Sequence, residues 1–219
     1  MIYMINMNEI GNKYQIGVRR FNINWIGIYS LYIKETLRFL SVFGQTIVGP
    51  IITAILFLVV ISLAIGPERS NVLGVNFISF LAPGLIAMQC ISQSFAHSSS
   101  SILMGKVMGN IVDLIGAPLS AAEVTLSIIF AAITRAIIIC FLSILVFYFF
   151  IDIKIENIII LILYLFLSSF ILSSLGFIAG LWAEKFDHMA TITNFIIVPL
   201  SRLISNLPLL KKFIFVILE

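Results

Sequence analysis

Charge is what this sequence has least of. Of its 219 residues only 11% are Asp, Glu, Lys or Arg, against 61% hydrophobic, and the mean hydropathy is +1.16. A soluble domain carries roughly 25% charged residues, so a water-exposed globular surface is excluded and the chain reads as an integral membrane protein. Sustained alternation of polar and apolar residues is also missing. A transmembrane β-barrel reads as alternating segments of ~10 residues, so the long apolar runs are expected to be helices, giving an all-α, polytopic bundle. Each helix then satisfies its own backbone polar groups in lipid. Cysteine is scarce: Cys90 and Cys140 lie in separate apolar runs, form no C-x-x-C pair or disulfide framework, and read as packing residues.

The missing motifs exclude most chemistry. A phosphate-cradling loop needs G-x-x-x-x-G-K-[ST]; the nearest match, Gly105-Lys106, has Ser100 and Val107 at the other two positions. There is no H-E-x-x-H, no G-x-S-x-G and no close pair of carboxylates inside an apolar run. His97 with the serines after it lacks an acid partner and reads as a polar helix end. His188 has no second ligand at metal spacing. A net charge of +3 is too small for a nucleic-acid surface, and the first strong apolar run comes too late for a cleavable signal peptide.

What is present is an orderly alternation of apolar runs and short polar connections. Residues 1–23 form a tail with no clear periodicity. Lys13, Arg19, Arg20, Lys34 and Arg38 precede the first run against Glu9 and Glu35, which puts the N-terminus in the cytoplasm. Over residues 24–44, Trp25, Ile28, Tyr29, Tyr32, Ile33, Leu37 and Leu40 recur at helical spacing with Ser30, Lys34, Arg38, Ser41 and Gln45 opposite. This suits an amphipathic helix lying in the headgroup plane; a cytoplasmic extension of the first span is the plainer reading. Spans are expected near 45–65, 76–95, 128–151, 158–182 and 189–207. Pro50 falls in the first turn of the first span, Pro83-Gly84 should kink the second, and the 66–71 turn lies outside.

Between the second and third spans, residues 102–118 form a cytoplasmic loop with Lys106 and Asp113 on a short amphipathic pattern, and this is the best place for a soluble partner to dock. Arg135 lies inside the third apolar run and is either a functional intramembrane charge or an arginine snorkelling to the headgroups. Glu123, ~18 Å away along a helix, cannot be its direct partner. Asp152, Lys154 and Glu156 make an outer connection. In the fourth span Ser169, Ser173, Gly176 and Gly180 share one face, a small-xxx-small pattern that supports close helix packing, including across a dimer. The turn Ala183-Glu184-Lys185-Phe186-Asp187-His188 reads equally as a second partner contact through Glu184, Lys185 and Asp187 or as a solvated turn. The cations Arg202, Lys211 and Lys212 run against the positive-inside trend.

Several segments together resemble the permease subunits of bacterial ABC-2 type exporters. They are Leu81-Ala82-Pro83-Gly84; Ser94-Phe95-Ala96-His97 through Ser101 into Gly105-Lys106; Gly109-Asn110-Ile111-Val112-Asp113; Pro118-Leu119-Ser120 with Glu123; Thr134-Arg135; Leu175-Gly176-Phe177 through Trp182 to Asp187; and Pro199-Leu200-Ser201. The resemblance implies a permease of the bacterial inner membrane that dimerises and pairs with two copies of a separate ATP-binding subunit. ATP and Mg would be held on that partner and no cofactor on this chain. By position, Gly105, Lys106, Gly109, Asp113 and Pro118 would lie in or beside the coupling contact with the ATPase. The expected cargo is a glycan, a lipid or a hydrophobic small molecule. Permeases of this kind continue after Pro-Leu-Ser into a re-entrant segment and a sixth span. Here the sixth span is expected to be missing or incomplete, which makes a truncated, non-transporting remnant the second reading. An ATPase-independent channel or carrier is the third, for which only Arg135 stands at mid-membrane.

Overall fold

The structure, a computed structural model, describes residues 23–65, 71–72, 75–149 and 158–199. The expectations for the N-terminal tail, the 66–70 turn, the connection at 150–157 and everything from residue 200, Arg202 included, fall outside those residues.

Helix α1 spans Trp25–Ser41 and starts where the Asn24 side chain accepts a hydrogen bond from the Gly27 N–H at 2.9 Å, satisfying one of the free donors of a helix N-terminus. A π turn over Gly44–Val48 leads into α2, Gly49–Ile65, with Pro50 in its first turn. A two-residue antiparallel ladder pairs Asn71–Val72 with Val75–Asn76. Helix α3, Phe77–Val107, continues through Pro83. The short α4, Ile111–Gly116, follows a turn at Gly109, whose φ of +77° only glycine adopts without strain. Helix α5, Ala121–Tyr148, opens on a capping box. The Ser120 hydroxyl accepts from the Glu123 N–H, and the Glu123 carboxylate accepts from the Ser120 N–H at 2.7 Å. Helix α6 covers Ile158–Trp182, and α7, Phe186–Ile192, runs into a second π turn at Thr193–Ile197.

Three expectations need correction. The second apolar run does not end near residue 95: α3 carries on through His97 and Ser101 to Val107, so only the later part of the 102–118 stretch is a connection. The serines are compatible with this because their hydroxyls bond back into the helix, Ser94 to the Cys90 carbonyl at 2.8 Å and Ser100 to the His97 carbonyl at 3.0 Å. The 183–188 turn is shorter than expected, since Phe186 already opens α7. And α1 does not lie across the bundle. Asn24 meets Glu123, Ile28 meets Ser127 and Tyr32 meets Thr134, so α1 advances in step with α5. Trp25, Tyr29 and Leu37 of its expected apolar face are exposed, while Leu31, Glu35 and Phe39 turn inward.

Among the described residues three helices are long and apolar enough to cross a membrane, over Gly44–Ile61, Ala121–Tyr148 and Leu161–Trp182. Helix α3 is the hub, packing most closely on α6 and next on α5. One apolar cluster joins Ala54 and Leu58 of α2 with Leu85, Ile86 and Cys90 of α3, Cys140 and Phe147 of α5 and Leu165 of α6. A second joins Ile91, Phe95 and Leu103 of α3 with Leu172 of α6 and Met189 of α7.

The face carrying Ser169, Ser173, Gly176 and Gly180 is used inside the chain. A Cβ added at Gly176 would stand 2.6 Å from the Phe95 carbonyl oxygen and collide with the Ser98 hydroxyl, and one at Gly180 would stand 2.8 Å from the Ser99 carbonyl oxygen. Ser169 and Ser173 are fully buried. Backbones come this close only where side chains are absent, which is how helices gain contact in lipid. Gly180→Ala is therefore expected to cost about 1–3 kcal/mol, read as a lower thermal midpoint in detergent. Gly84→Ala, where an added Cβ meets nothing within 4 Å, should leave the midpoint unchanged or raise it.

Candidate functional site

Because α3 and α6 meet so closely, their C-terminal ends lie side by side, and polar residues far apart in sequence collect there. Lys106, in the last turn of α3, directs its ammonium beneath the end of α6 and donates to the carbonyls of Gly180 (3.0 Å), Leu181 and Ala183 (3.1 Å). These are the carbonyls that a helix end leaves without partners, and a cation there also meets the negative end of the helix dipole. Lys106 thus fastens the α3–α4 connection to the turn carrying Glu184, Lys185 and Asp187, whose side chains are exposed. The two stretches singled out as partner contacts share one end of the bundle.

Helix α4 hangs from that end. It buries no residue, and along it Val112 is 69% and Ile115 77% exposed, with Met108 in the turn before it at 61%. Asp113 is exposed beside them, Gly109 provides the turn, and a Cβ added at Gly105 would stand 3.9 Å from Ile111. Pro118 closes the segment, its carbonyl accepting from the Asn24 side chain at 3.4 Å. Asn24 also donates its backbone N–H to Glu123 at 2.8 Å. The start of α1 and the start of α5 are therefore tied around the α4 connection.

Deeper in the bundle lies a polar cluster that the sequence reading did not assemble. Glu35 of α1 is buried; its Oε2 accepts from the Ser101 hydroxyl at 2.8 Å, pairs with Arg38 at 2.9 Å and stands 3.8 Å from His97 Nε2. The His97 ring packs edge-on against Phe39, with centroids 5.6 Å apart. Next to this, Arg135 of α5 is also buried. It donates to the Gln93 side chain of α3 and to the Thr46 carbonyl at 3.4 Å in the π turn. Its Nε, like His97 Nε2, has no hydrogen-bond partner among the described residues. The cluster links α1, the entry to α2, α3 and α5. His97 is thus a buried residue partway along a helix, where a polar helix end was expected. No group of three or more His, Cys, Asp and Glu among the described residues could hold a metal ion.

Comparison with known sequences identifies this bundle of apolar helices. The family model described as ABC-2 type transporter matches residues 27–205. The chain belongs to the ABC-2 type transporter family. It is similar to the protein named inner membrane transport permease YadH of Escherichia coli (strain K12), 27% identical over 182 residues, which covers 83% of this chain and 71% of the relative. The same permease from Escherichia coli O157:H7 and from Shigella flexneri matches equally. No solved structure matches the chain at a significant level. As an ABC-2 permease it is a membrane protein of transport, and pairing with an ATP-binding subunit is general to the family.

Of the site residues read from the sequence, Lys106 reaches the Ala183 carbonyl beside the 184–187 turn, Pro118 is tied to Asn24, Gly109 makes the turn into α4 and Asp113 is exposed on it, while Arg135 bonds to Gln93 and the Thr46 carbonyl. Glu35 was missed because it sits between Lys34 and Arg38 in a segment read as a headgroup helix, and its partner Ser101 is 66 residues away. Removing the Glu35 carboxylate leaves the Ser101 hydroxyl without its acceptor, at about 1–3 kcal/mol, while the partly exposed Arg38 can turn to solvent, so Glu35→Ala should lower the thermal midpoint in detergent. In a double-mutant cycle with Ser101→Ala, the two changes together should cost less than their sum by about 0.5–3 kcal/mol. The same cycle run with Ser174→Ala, a half-buried serine of α6 whose hydroxyl bonds to the Phe170 carbonyl of its own helix, should be additive.

Proposed function

We propose that the chain is the membrane-spanning subunit of an ATP-driven exporter, in which a separate ATP-binding subunit docks on α4. The observation that supports this reading is the exposed apolar side of α4. Val112 and Ile115 stand free at the polar end of the bundle, where α4 buries nothing of its own. Exposed apolar residues grouped at such a place mark a protein contact. Asp113 on α4 and Glu184, Lys185 and Asp187 on the neighbouring turn supply a charged rim around it.

The mechanical consequence follows from the connections of α4. A push on α4 is delivered to α3 through the Gly109 turn and to α6 through the Lys106 clamp. It reaches the α1 and α5 starts through Pro118, Asn24 and Glu123. ATP and Mg, held by the partner, would drive closure of two ATP-binding subunits, and two permease copies would shift between inward- and outward-open states. On this reading the protein sits in a bacterial inner membrane with its N-terminus in the cytoplasm. It crosses about five times, and it moves a glycan, a lipid or a hydrophobic small molecule as a homodimer. The lipid-facing residues Ile162, Leu163 and Leu167 of α6 and Leu56, Phe57 and Val60 of α2 are exposed, leaving area for a second copy.

Replacing an exposed apolar residue by a charge leaves the bundle intact but places a carboxylate in the contact. Ile115→Glu is therefore expected to abolish recovery of the ATP-binding subunit when the tagged permease is purified in mild detergent. The thermal midpoint of the permease itself should be unchanged. Asp113→Ala should reduce recovery in the same direction. Undiminished recovery with Ile115→Glu would remove α4 from the contact.

A further inference from the structure

One cleft on the molecule has no role in this coupling scheme. Measuring about 120 Å³, it lies between α1 and the α3–α4 connection. Its rim carries two cations, Lys34 and Arg38, and its apolar lining includes Met104, Met108 and Leu114. Glu35 is on the wall, but its carboxylate is engaged by Arg38 and Ser101. Lys34 is exposed and has no ion-pair partner among the described residues.

The depth of the cleft is set by its neighbours. Ser101 and Gly105 of α3 line it, and α3 at Ser99 and Ile102 lies against Gly180, two residues before the end of α6. Ile128 of α5 lines it too, and the ~20 residues a bilayer needs, counted back from the far end of α5, begin there. The cleft therefore opens at the boundary between hydrocarbon and headgroups, with Met104 in its lining and 38% exposed. A free cation over an apolar floor at that depth matches one ligand chemistry: a phosphodiester with an acyl chain attached.

We infer that this cleft is a binding site for an anionic phospholipid, with Lys34 and Arg38 holding the phosphate and Met104, Met108 and Leu114 covering the start of an acyl chain. The inference rests on the membrane embedding of the chain and not on the docking of an ATP-binding subunit, so the two fail separately. A lipid seated there would join α1 to the α3–α4 connection without any protein contact, and would make the stability of that junction depend on membrane composition.

Native mass spectrometry of the full chain in detergent, titrated with phosphatidylglycerol, phosphatidylcholine or inorganic phosphate, tests this. Phosphatidylglycerol adducts should form at several-fold lower concentration than phosphatidylcholine adducts, and excess inorganic phosphate should not displace them. Lys34→Gln should weaken phosphatidylglycerol binding about fivefold, as expected for one cation near an anionic headgroup. Met108→Glu, a change at an exposed position that leaves the fold intact, should weaken it at least as much. The control Lys185→Gln should have no effect. Equal binding of the two lipids, or unchanged binding in both variants, would overturn the assignment. Displacement by inorganic phosphate would make the site one for a free anion and overturn it as well. Variants that lose the ATP-binding subunit while keeping every lipid adduct would give the cleft to the protein partner instead.

Discussion

The approach of α3 to α6 at Gly176 and Gly180 is the constraint on which the remaining geometry depends. Between helices in lipid there is no hydrophobic gain from excluding water, so contact must come from close packing and from polar groups that meet across the interface. Two glycines a turn apart let the α6 backbone settle against Phe95 and Ser99 of α3. That contact fixes the relative height of the two helices and places Lys106 directly under the last carbonyls of α6. With a larger side chain at either glycine the helices would separate, and the lysine would face carbonyls it could not reach.

From that fixed pair the polar residues are distributed by depth. Serines of α3 return their hydroxyls to their own helix, so a polar run can be buried without partners elsewhere. Glu35 and Arg135 are different, because a buried charge must be paired or bonded to be tolerated. Glu35 has Arg38 and Ser101, and Arg135 has Gln93 and the Thr46 carbonyl. Both arrangements tie the approach to α2 onto the inner half of α3. The connection between the α4 end of the bundle and the entry to α2 is therefore made of polar contacts, which have defined geometry, and not only of apolar packing. Such contacts can have two discrete arrangements, which is what a transport cycle requires of its moving parts.

Much of this was legible in the sequence. The apolar runs located α2, α5 and α6, and Gly176-x-x-x-Gly180 marked the face that packs. What could not be read has a common physical cause: it depends on contacts between residues far apart in the chain. The continuation of α3 to Val107 was hidden because Ser98 to Ser100 look solvated until their hydroxyls are traced to carbonyls of the same helix, and Ser101 until its hydroxyl is traced to Glu35. Glu35 looked like one more headgroup charge until α1 was seen to track α5. The clamp role of Lys106 was invisible because its acceptors are backbone carbonyls more than 70 residues away, and carbonyls carry no sequence signal. The pairing of Asn24 with Glu123 was likewise out of reach, although Ser120-x-x-Glu123 is a helix-start pattern that could have located the beginning of α5.

The central claim is that α4 is the surface through which an ATP-binding subunit acts on this bundle. The most direct test places a photo-crosslinking amino acid at Ile115 in cells that also produce the ATP-binding subunit, with the same label at Phe141, an exposed residue on the membrane part of α5, as the comparison. The account predicts an adduct with the ATP-binding subunit from position 115 and none from position 141. An absence of adduct at 115, or equal adducts from both positions, would contradict it.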